Sequence, residues 1–167
     1  MKKLIWAFFL ILIGLGVTSC DFNRVYEQYE DIPNYQWEQK NILRFEVNIK
    51  DTIQANNIFL NIRNTGSYEY SNIWVFVKKI TPDGKTENKK IELQLADEKG
   101  KWYGSGFGDI FDLQVPFQQN VIFPHSGKYV FEITQGMWPQ KLNGVVNVGI
   151  RIEKLNHKIT DSNRGKK

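Results

Sequence analysis

The chain has little of the side-chain chemistry that metal centres and covalent cross-links need. Its 167 residues include one cysteine, Cys20, and two histidines, His125 and His157. A single thiol cannot close a disulfide within the chain, and neither histidine has a neighbouring His or Cys that would complete a zinc site. We therefore expect no metal and no disulfide framework, so that the fold must depend on a hydrophobic core.

The chain also lacks a strong excess of charge of either sign. Its formal net charge is +4, and Lys2 and Lys3 lie in an N-terminal leader. Nucleic-acid binding depends on a dense basic surface that neutralises phosphates, and the balance here is too weak for one. We expect no nucleic-acid partner.

One long run lacks charge altogether. Leu4 to Val17 is fourteen residues without an ionisable side chain. A membrane-spanning helix needs about 20 apolar residues, so this run is typical of the core of a signal peptide. It ends in "VTSC" (17–20), which resembles the lipobox of bacterial lipoproteins. We predict a cleaved lipoprotein signal peptide over 1–19 and a lipid anchor on Cys20, whose partner is membrane lipid. The alternative is an uncleaved anchor with a chance thiol.

Strand periodicity begins only after a mixed polar and aromatic segment. Residues 20–41 show no sustained period, and Pro33 interrupts any helix, which predicts a lipidated N-terminus and tether. From residue 42, apolar and polar side chains alternate in short segments between turn signals. This predicts an all-β domain over 42–155, an antiparallel immunoglobulin-like β-sandwich of seven or eight strands, and a polar tail over 156–167. Tyr129, which opens a late strand in "SGKYVF", is common in such folds.

Catalytic groups do not converge anywhere in the sequence. Asp109 and Asp112 bracket a strand entry, where turn capping and a solvated face explain them better than acid–base or calcium chemistry. "GSG" (104–106) lacks the context of a nucleophile elbow or of a phosphate loop. We predict no catalytic residues, no cofactor and no enzymatic activity.

Aromatic side chains in two loops are the candidate partner-binding residues: Trp102, Tyr103, Phe107 and Trp138. Large rings on loops of a rigid scaffold are typical binding anchors, and neighbouring glycines would let a partner approach the backbone. The alternative is that the rings fold back and plug the end of the core.

Several stretches together resemble one lipoprotein family. They are "IRNTGSYEYSN" (62–72), "GSGFGDIFD" (104–112), "FPHSGKYVFEITQGM" (123–137) and "GVVNVGIRIEK" (144–154), with the lipobox at Cys20. They are similar to the gliding-motility lipoprotein GldH family, except that Trp138 stands where a basic residue would be expected after Met137.

The resemblance implies a non-enzymatic, membrane-anchored component of the gliding-motility machinery and its linked protein-secretion system, whose partners are other envelope proteins. "CDFNR" (20–24) has no acidic run after the cysteine, which favours a periplasm-facing position on either membrane. The alternative is a lipid-anchored module that binds glycan or cell wall through Trp102, Tyr103 and Trp138. A row of exposed rings beside Asp or Asn would favour glycan, whereas an apolar patch or an open edge strand would favour protein.

The first test concerns Cys20. Cells that are fed an alkyne fatty acid should label the wild-type protein, whereas Cys20→Ala should lose the label because its acceptor thiol is gone. Equal labelling of the two forms would contradict the anchor.

Overall fold

The computed structural model describes residues 21–155 as a β-structure with one short 3-10 turn. The signal peptide, Cys20, His157 and the polar tail lie outside the described residues. Along the chain the elements are β1 (Arg24–Asp31), the turn (Pro33–Tyr35), β2 (Gln36–Glu38), β3 (Leu43–Ile49), β4 (Asn56–Thr65), β5 (Asn72–Ile80), β6 (Thr86–Gln94), β7 (Ile110–Val121), β8 (Gly127–Gln135), β9 (Lys141–Asn143) and β10 (Val145–Lys154). Within this part of the chain, no helix is long and apolar enough to cross a bilayer.

Two four-stranded antiparallel sheets face each other across one core. The first sheet has the order β1-β10-β4-β7 and the second has the order β3-β8-β5-β6, while β2 and β9 form a separate two-stranded ribbon. The side chains of β3 alternate between buried and exposed along the whole strand. Inward residues of both sheets, such as Phe45 and Ile150, join a single buried cluster. The prediction of an all-β antiparallel sandwich is confirmed, with ten strands in place of seven or eight.

Tyr129 ties the start of β8 to the loop before it. Its ring is 1 % exposed and stacks edge-on against Phe123, with ring centroids 4.9 Å apart. Its hydroxyl donates to the backbone carbonyl of His125 at 3.0 Å, four residues upstream. This is the tyrosine corner that the sequence "SGKYVF" suggested, and it fixes the crossing between the sheets.

The N-terminal segment belongs to the sandwich. β1 runs antiparallel to β10 from Arg24 to Asp31, and β2 pairs with β9. Between and within these strands, Ile32 is 2 % exposed and Trp37 is fully buried. The tether predicted over 20–41 is therefore corrected, because residues 24–38 supply strands and core side chains, and the domain starts well before residue 42.

Antiparallel pairing gives the sandwich two distinct ends. At the anchor end, β1 begins beside the last residues of β10, and Asn56 opposes both Lys154 and Val121. At the far end, Thr65 opposes Ile110 where β4 ends and β7 begins. The ten residues of β4 separate the two ends by about 33 Å, at about 3.3 Å per residue.

The N-terminal strands should be needed for stability. A fragment over 42–155 loses β1, Ile32 and Trp37, and loss of one buried tryptophan side chain typically costs about 3–5 kcal/mol. We expect this fragment to melt well below a fragment over 21–155, or to remain unfolded, when both are followed by circular dichroism. Equal melting temperatures would show that β1 and β2 contribute nothing to the domain.

Candidate functional site

Two loops at the far end carry the four aromatic residues singled out in the sequence. The first loop follows β6, where an isolated bridge joins Ala96 to Trp102 and the Tyr103 N–H donates to the carbonyl of Leu95 at 2.8 Å. The Asp97 carboxylate caps its tip by accepting the N–H groups of Lys99 and Lys101 at 2.9 and 2.8 Å. The loop is therefore held by its own hydrogen bonds.

Two glycines of this loop, Gly104 and Gly106, allow its two arms to pack closely against each other. Ser105 pairs with Asp112 through two backbone hydrogen bonds, of 3.1 and 2.8 Å. This hairpin brings Gly104 against the Asp112 backbone and Gly106 against the carbonyl of Ile110, so that a Cβ at position 106 would collide with that carbonyl. The idea that Gly104 and Gly106 admit a partner's backbone is corrected, because the protein's own backbone fills that space.

Trp102 packs inward. Its ring lies 5.6 Å from the Phe111 ring and 6.4 Å from the buried Tyr68 ring, centroid to centroid, and it contacts the core cluster. Aromatic contacts of this kind stabilise beyond the area they bury. Trp102 was either a binding anchor or a ring that closes the end of the core. The structure favours the second alternative.

The other three candidates are exposed. Phe107 and Trp138 are each 97 % exposed, and Tyr103 is 58 % exposed. Tyr35, 49 % exposed, and Ile110, 36 % exposed, add apolar surface at the same end. For Phe107, the alternative in which the ring folds back and plugs the end of the core is wrong. Singly exposed aliphatic residues are ordinary, whereas several exposed rings at one end of a domain make these loops a candidate binding surface.

The loop that carries Trp138 is clamped from both sides. The buried Gln135 side chain donates to the Pro139 carbonyl at 2.9 Å and accepts from the Met137 N–H at 2.8 Å. On the other side, Gln39 donates to the Met137 carbonyl at 2.8 Å. The sequence analysis missed both glutamines: Gln135 stands directly before "GMWP" (136–139), whereas Gln39 contacts Met137 across 98 residues of sequence, which no local pattern records. The clamp holds Trp138 outward on a fixed backbone.

A polar groove lies along β2 and β9, and its lining includes Gln140, two residues after Trp138. It comprises two adjoining clefts of about 490 and 620 Å³. Glu38 pairs there with Lys40 at 3.0 Å and with Lys141 at 3.7 Å. The hydrogen bond from Lys40 lowers the pKa of Glu38 below its ordinary value. Because these charges are paired, amides dominate the remaining surface: Asn34, Gln36, Gln39, Asn41 and Gln140.

The two aspartates considered for chemistry have structural partners. Asp109 accepts the N–H of Gly66 at 3.2 Å, and Asp112 pairs with Arg63 at 2.7 Å. The Arg63 guanidinium also lies over the Tyr29 ring, 4.2 Å from its centroid. Within residues 21–155, no three His, Cys, Asp or Glu side chains are grouped as a metal ion would require. Turn capping and ion pairing thus account for both carboxylates.

The β6 and β7 edges of the two sheets offer little to a partner strand. β7 contains Pro116, a positive φ at Asn120 and two register irregularities against β4. β6 carries charged side chains along most of its length. Proline, irregular register and charge all discourage edge-to-edge pairing. The far-end loops are therefore better suited to contact a partner than the edges at β6 and β7.

Comparison with known proteins identifies close relatives. The model of the family described as "GldH lipoprotein" matches residues 24–152. A gliding motility lipoprotein GldH homolog of Christiangramia forsetii is 34 % identical over 161 residues, which cover 92 % of this chain and 98 % of that protein. The gliding motility lipoprotein GldH of Flavobacterium johnsoniae is 31 % identical over 151 residues, which cover 86 % and 93 %.

Solved structures provide only distant likenesses. The infectious bursal disease virus VP2 subviral particle aligns with a TM-score of 0.38 and 18 % identity, over 80 % of this chain and 33 % of that one. With so low a TM-score and identity, this likeness supports no conclusion about the fold or function of the chain.

Stability measurements should separate the buried ring from the exposed ones. Trp102→Ala removes packing against Tyr68 and Phe111 and should lower the melting temperature by several degrees, since truncation of a large core ring typically costs about 3 kcal/mol or more when it is fully buried. Phe107→Ala is the matched control, because an exposed ring in the same loop should leave the melting temperature nearly unchanged. Equal losses of melting temperature in the two variants would contradict the assignment of Trp102 as packed and Phe107 as exposed.

Proposed function

The chain belongs to the GldH lipoprotein family, and on that premise we propose that it is a lipid-anchored, non-enzymatic component of the gliding-motility machinery. It acts through contacts with other envelope proteins, including those of the secretion system linked to that machinery. Acylated Cys20 anchors it, and the absence of an acidic run after this cysteine supports a domain that faces the periplasm.

One observation carries the proposal of protein contact: Tyr103, Phe107 and Trp138 are exposed together at the far end. Such rings supply large contact area and lose little side-chain entropy on binding, which is why they dominate protein interfaces. The Tyr103 backbone is held by its hydrogen bond to the Leu95 carbonyl, and the loop of Trp138 is held by the Gln39 and Gln135 clamp. Pre-organisation of this kind lowers the entropy cost of binding.

The position of these rings fits a membrane-anchored protein. They lie at the opposite end of the sandwich from the start of β1, about 33 Å away along the strands. A partner can therefore reach them without displacing the domain from the bilayer. The guarded edges of β6 and β7 support contact through loops and not through strand addition.

A second candidate has an observation of its own. The groove along β2 and β9 is lined with amides, and its lining residue Gln140 follows the exposed Trp138 by two positions. Stacking on an aromatic ring beside hydrogen-bonding amides is the chemistry that recognises sugars. Trp102 does not belong to this site, because its ring packs on the core. We propose cell-wall glycan as the alternative ligand class.

The test combines capture with motility. Tagged protein is crosslinked in cells, extracted from membranes and recovered with its neighbours, in the wild type and in the triple variant Tyr103→Ala, Phe107→Ala, Trp138→Ala. Since truncation at a binding hot spot costs about 2 kcal/mol or more, we expect captured envelope proteins to fall more than tenfold and spreading to stop. Membrane level and melting temperature should stay unchanged.

Phe76→Ala is the matched control, because its ring is 47 % exposed on the outer face of the second sheet and not in the far-end loops. It should capture and spread like the wild type. Normal capture by the triple variant would contradict the proposed protein contacts. If capture is normal while binding to isolated cell-wall sacculi is lost in Trp138→Ala, the glycan alternative replaces them.

A further inference from the structure

The anchor end carries a second group of exposed apolar side chains, in addition to the rings at the far end. Phe22 is 85 % exposed, Ile53 is 86 % exposed and Ile122 is 55 % exposed. Ile122 follows Val121, which opposes Asn56 at the start of β4, while Ile53 lies in the loop that leads into the same strand. Three exposed apolar side chains thus come from three separate segments that meet at this end.

Backbone hydrogen bonds bring the chain from Phe22 onward against this end. The Lys154 N–H donates to the carbonyl of Asn23 at 2.8 Å, and the Leu155 N–H donates to the carbonyl of Ala55 at 2.8 Å. Phe22 is the neighbour of Asn23, and Ile53 is two residues from Ala55. We name Phe22, Ile53 and Ile122, with the basic residues described next, the anchor face.

Basic side chains surround a groove in the anchor face. The groove, of about 380 Å³, includes Arg24, Lys50 and Lys154 among its lining residues, with Asp51 as its one carboxylate. Asp51 caps its own loop by accepting the N–H groups of Ile53 and Gln54 at 2.9 and 3.0 Å. Arg24 already pairs with Glu27 at 3.1 Å, so Lys50 and Lys154 supply the excess positive charge of the groove.

The distance from the lipid is short. The Asp21 carboxylate pairs with the Arg151 guanidinium of β10, and this hydrogen bond lowers the pKa of Asp21. The chain is thus attached to the sheet one residue after Cys20, and consecutive Cα atoms are about 3.8 Å apart. An acylated Cys20 leaves at most a few ångströms of slack between the first sheet and the bilayer.

We propose that the anchor face rests on the bilayer that holds the acyl chains. Phe22, Ile53 and Ile122 enter the headgroup boundary, and Lys50 and Lys154 contact anionic lipid headgroups. Apolar side chains and cations at the same end of a domain are the combination that binds an anionic membrane surface. The proposal rests on acylation of Cys20, as the proposed function does, and adds a second, protein-mediated contact with lipid.

The single cysteine makes this face directly testable. Acylation consumes the thiol of Cys20, so Ile53→Cys provides the one free thiol of the full-length lipidated protein. It is labelled with an environment-sensitive fluorophore and reconstituted into vesicles of phosphatidylglycerol and phosphatidylcholine that contain lipid spin-labelled at the headgroup. The label should be strongly quenched. Phe107→Cys, equally exposed but at the far end, is the matched control and should not be quenched.

Charge removal tests the basic part of the face. Each basic residue near an anionic surface contributes about a fivefold preference for it, so Lys50→Gln with Lys154→Gln should lower the ratio of docked to undocked domain about twenty-five-fold. The protein with both lysines intact should show the same fall in the ratio of docked to undocked domain on vesicles of phosphatidylcholine alone. Both lysine side chains are exposed, and unchanged circular dichroism confirms that the fold is kept.

The outcomes separate this proposal from the proposed function. Protein that floats with vesicles while the Ile53 label stays unquenched keeps the anchor and overturns the anchor face. Protein that fails to float overturns both. Crosslinking between two copies through position 53, without quenching by lipid, would assign the face to a second copy and would also overturn the proposal. Loss of partner capture in the far-end variant leaves vesicle quenching unchanged.

Discussion

The antiparallel pairing of β1 with β10 is the constraint on which the rest of the structure depends. β10 lies between β1 and β4, so the first residues after Cys20 are joined through one strand to the centre of the first sheet. The Asp21–Arg151 ion pair extends this attachment to the residue next to the predicted lipid site. Arg151 also pairs with Glu27 of β1 at 2.7 Å, and at 13 % side-chain exposure its charge is partly shielded from solvent. The segment that follows the predicted lipid site is therefore part of the folded domain.

Much of the fold could be predicted from sequence because most strands have one face in the core. In β3, strict alternation of buried and exposed residues follows from packing against a single opposing sheet, and this pattern is visible in the sequence. β1 shows no such pattern, because as an edge strand it has half-buried aromatic and charged residues on both faces. β2 has three residues, too few to show a period. Their strand identity comes from pairing partners more than 100 residues away, which no local pattern records.

The candidate surface was predictable in composition but not in exposure. Trp102 and Phe107 lie in the same glycine-rich loop, yet one packs on the core and the other is exposed to solvent. The difference arises from the bridge between Ala96 and Trp102, which turns the Trp102 ring towards Tyr68 and Phe111. Such contacts are non-local. In the same way, the outward position of Trp138 depends on Gln135 and on Gln39, which is distant in sequence.

Under the proposed lipidation of Cys20, the short connection to lipid would give the two ends of the sandwich different roles. A flexible tether of about twenty residues would spread the far-end rings over a volume tens of ångströms wide and would dilute them relative to a membrane-bound partner. A domain attached at Asp21 keeps Tyr103, Phe107 and Trp138 within a narrow layer, about one strand length above its own anchor end. A partner embedded in or anchored to the same membrane meets these rings at a high effective concentration. Individually modest contacts can then sustain an assembly, because the membrane has already removed much of the translational freedom that association would otherwise cost.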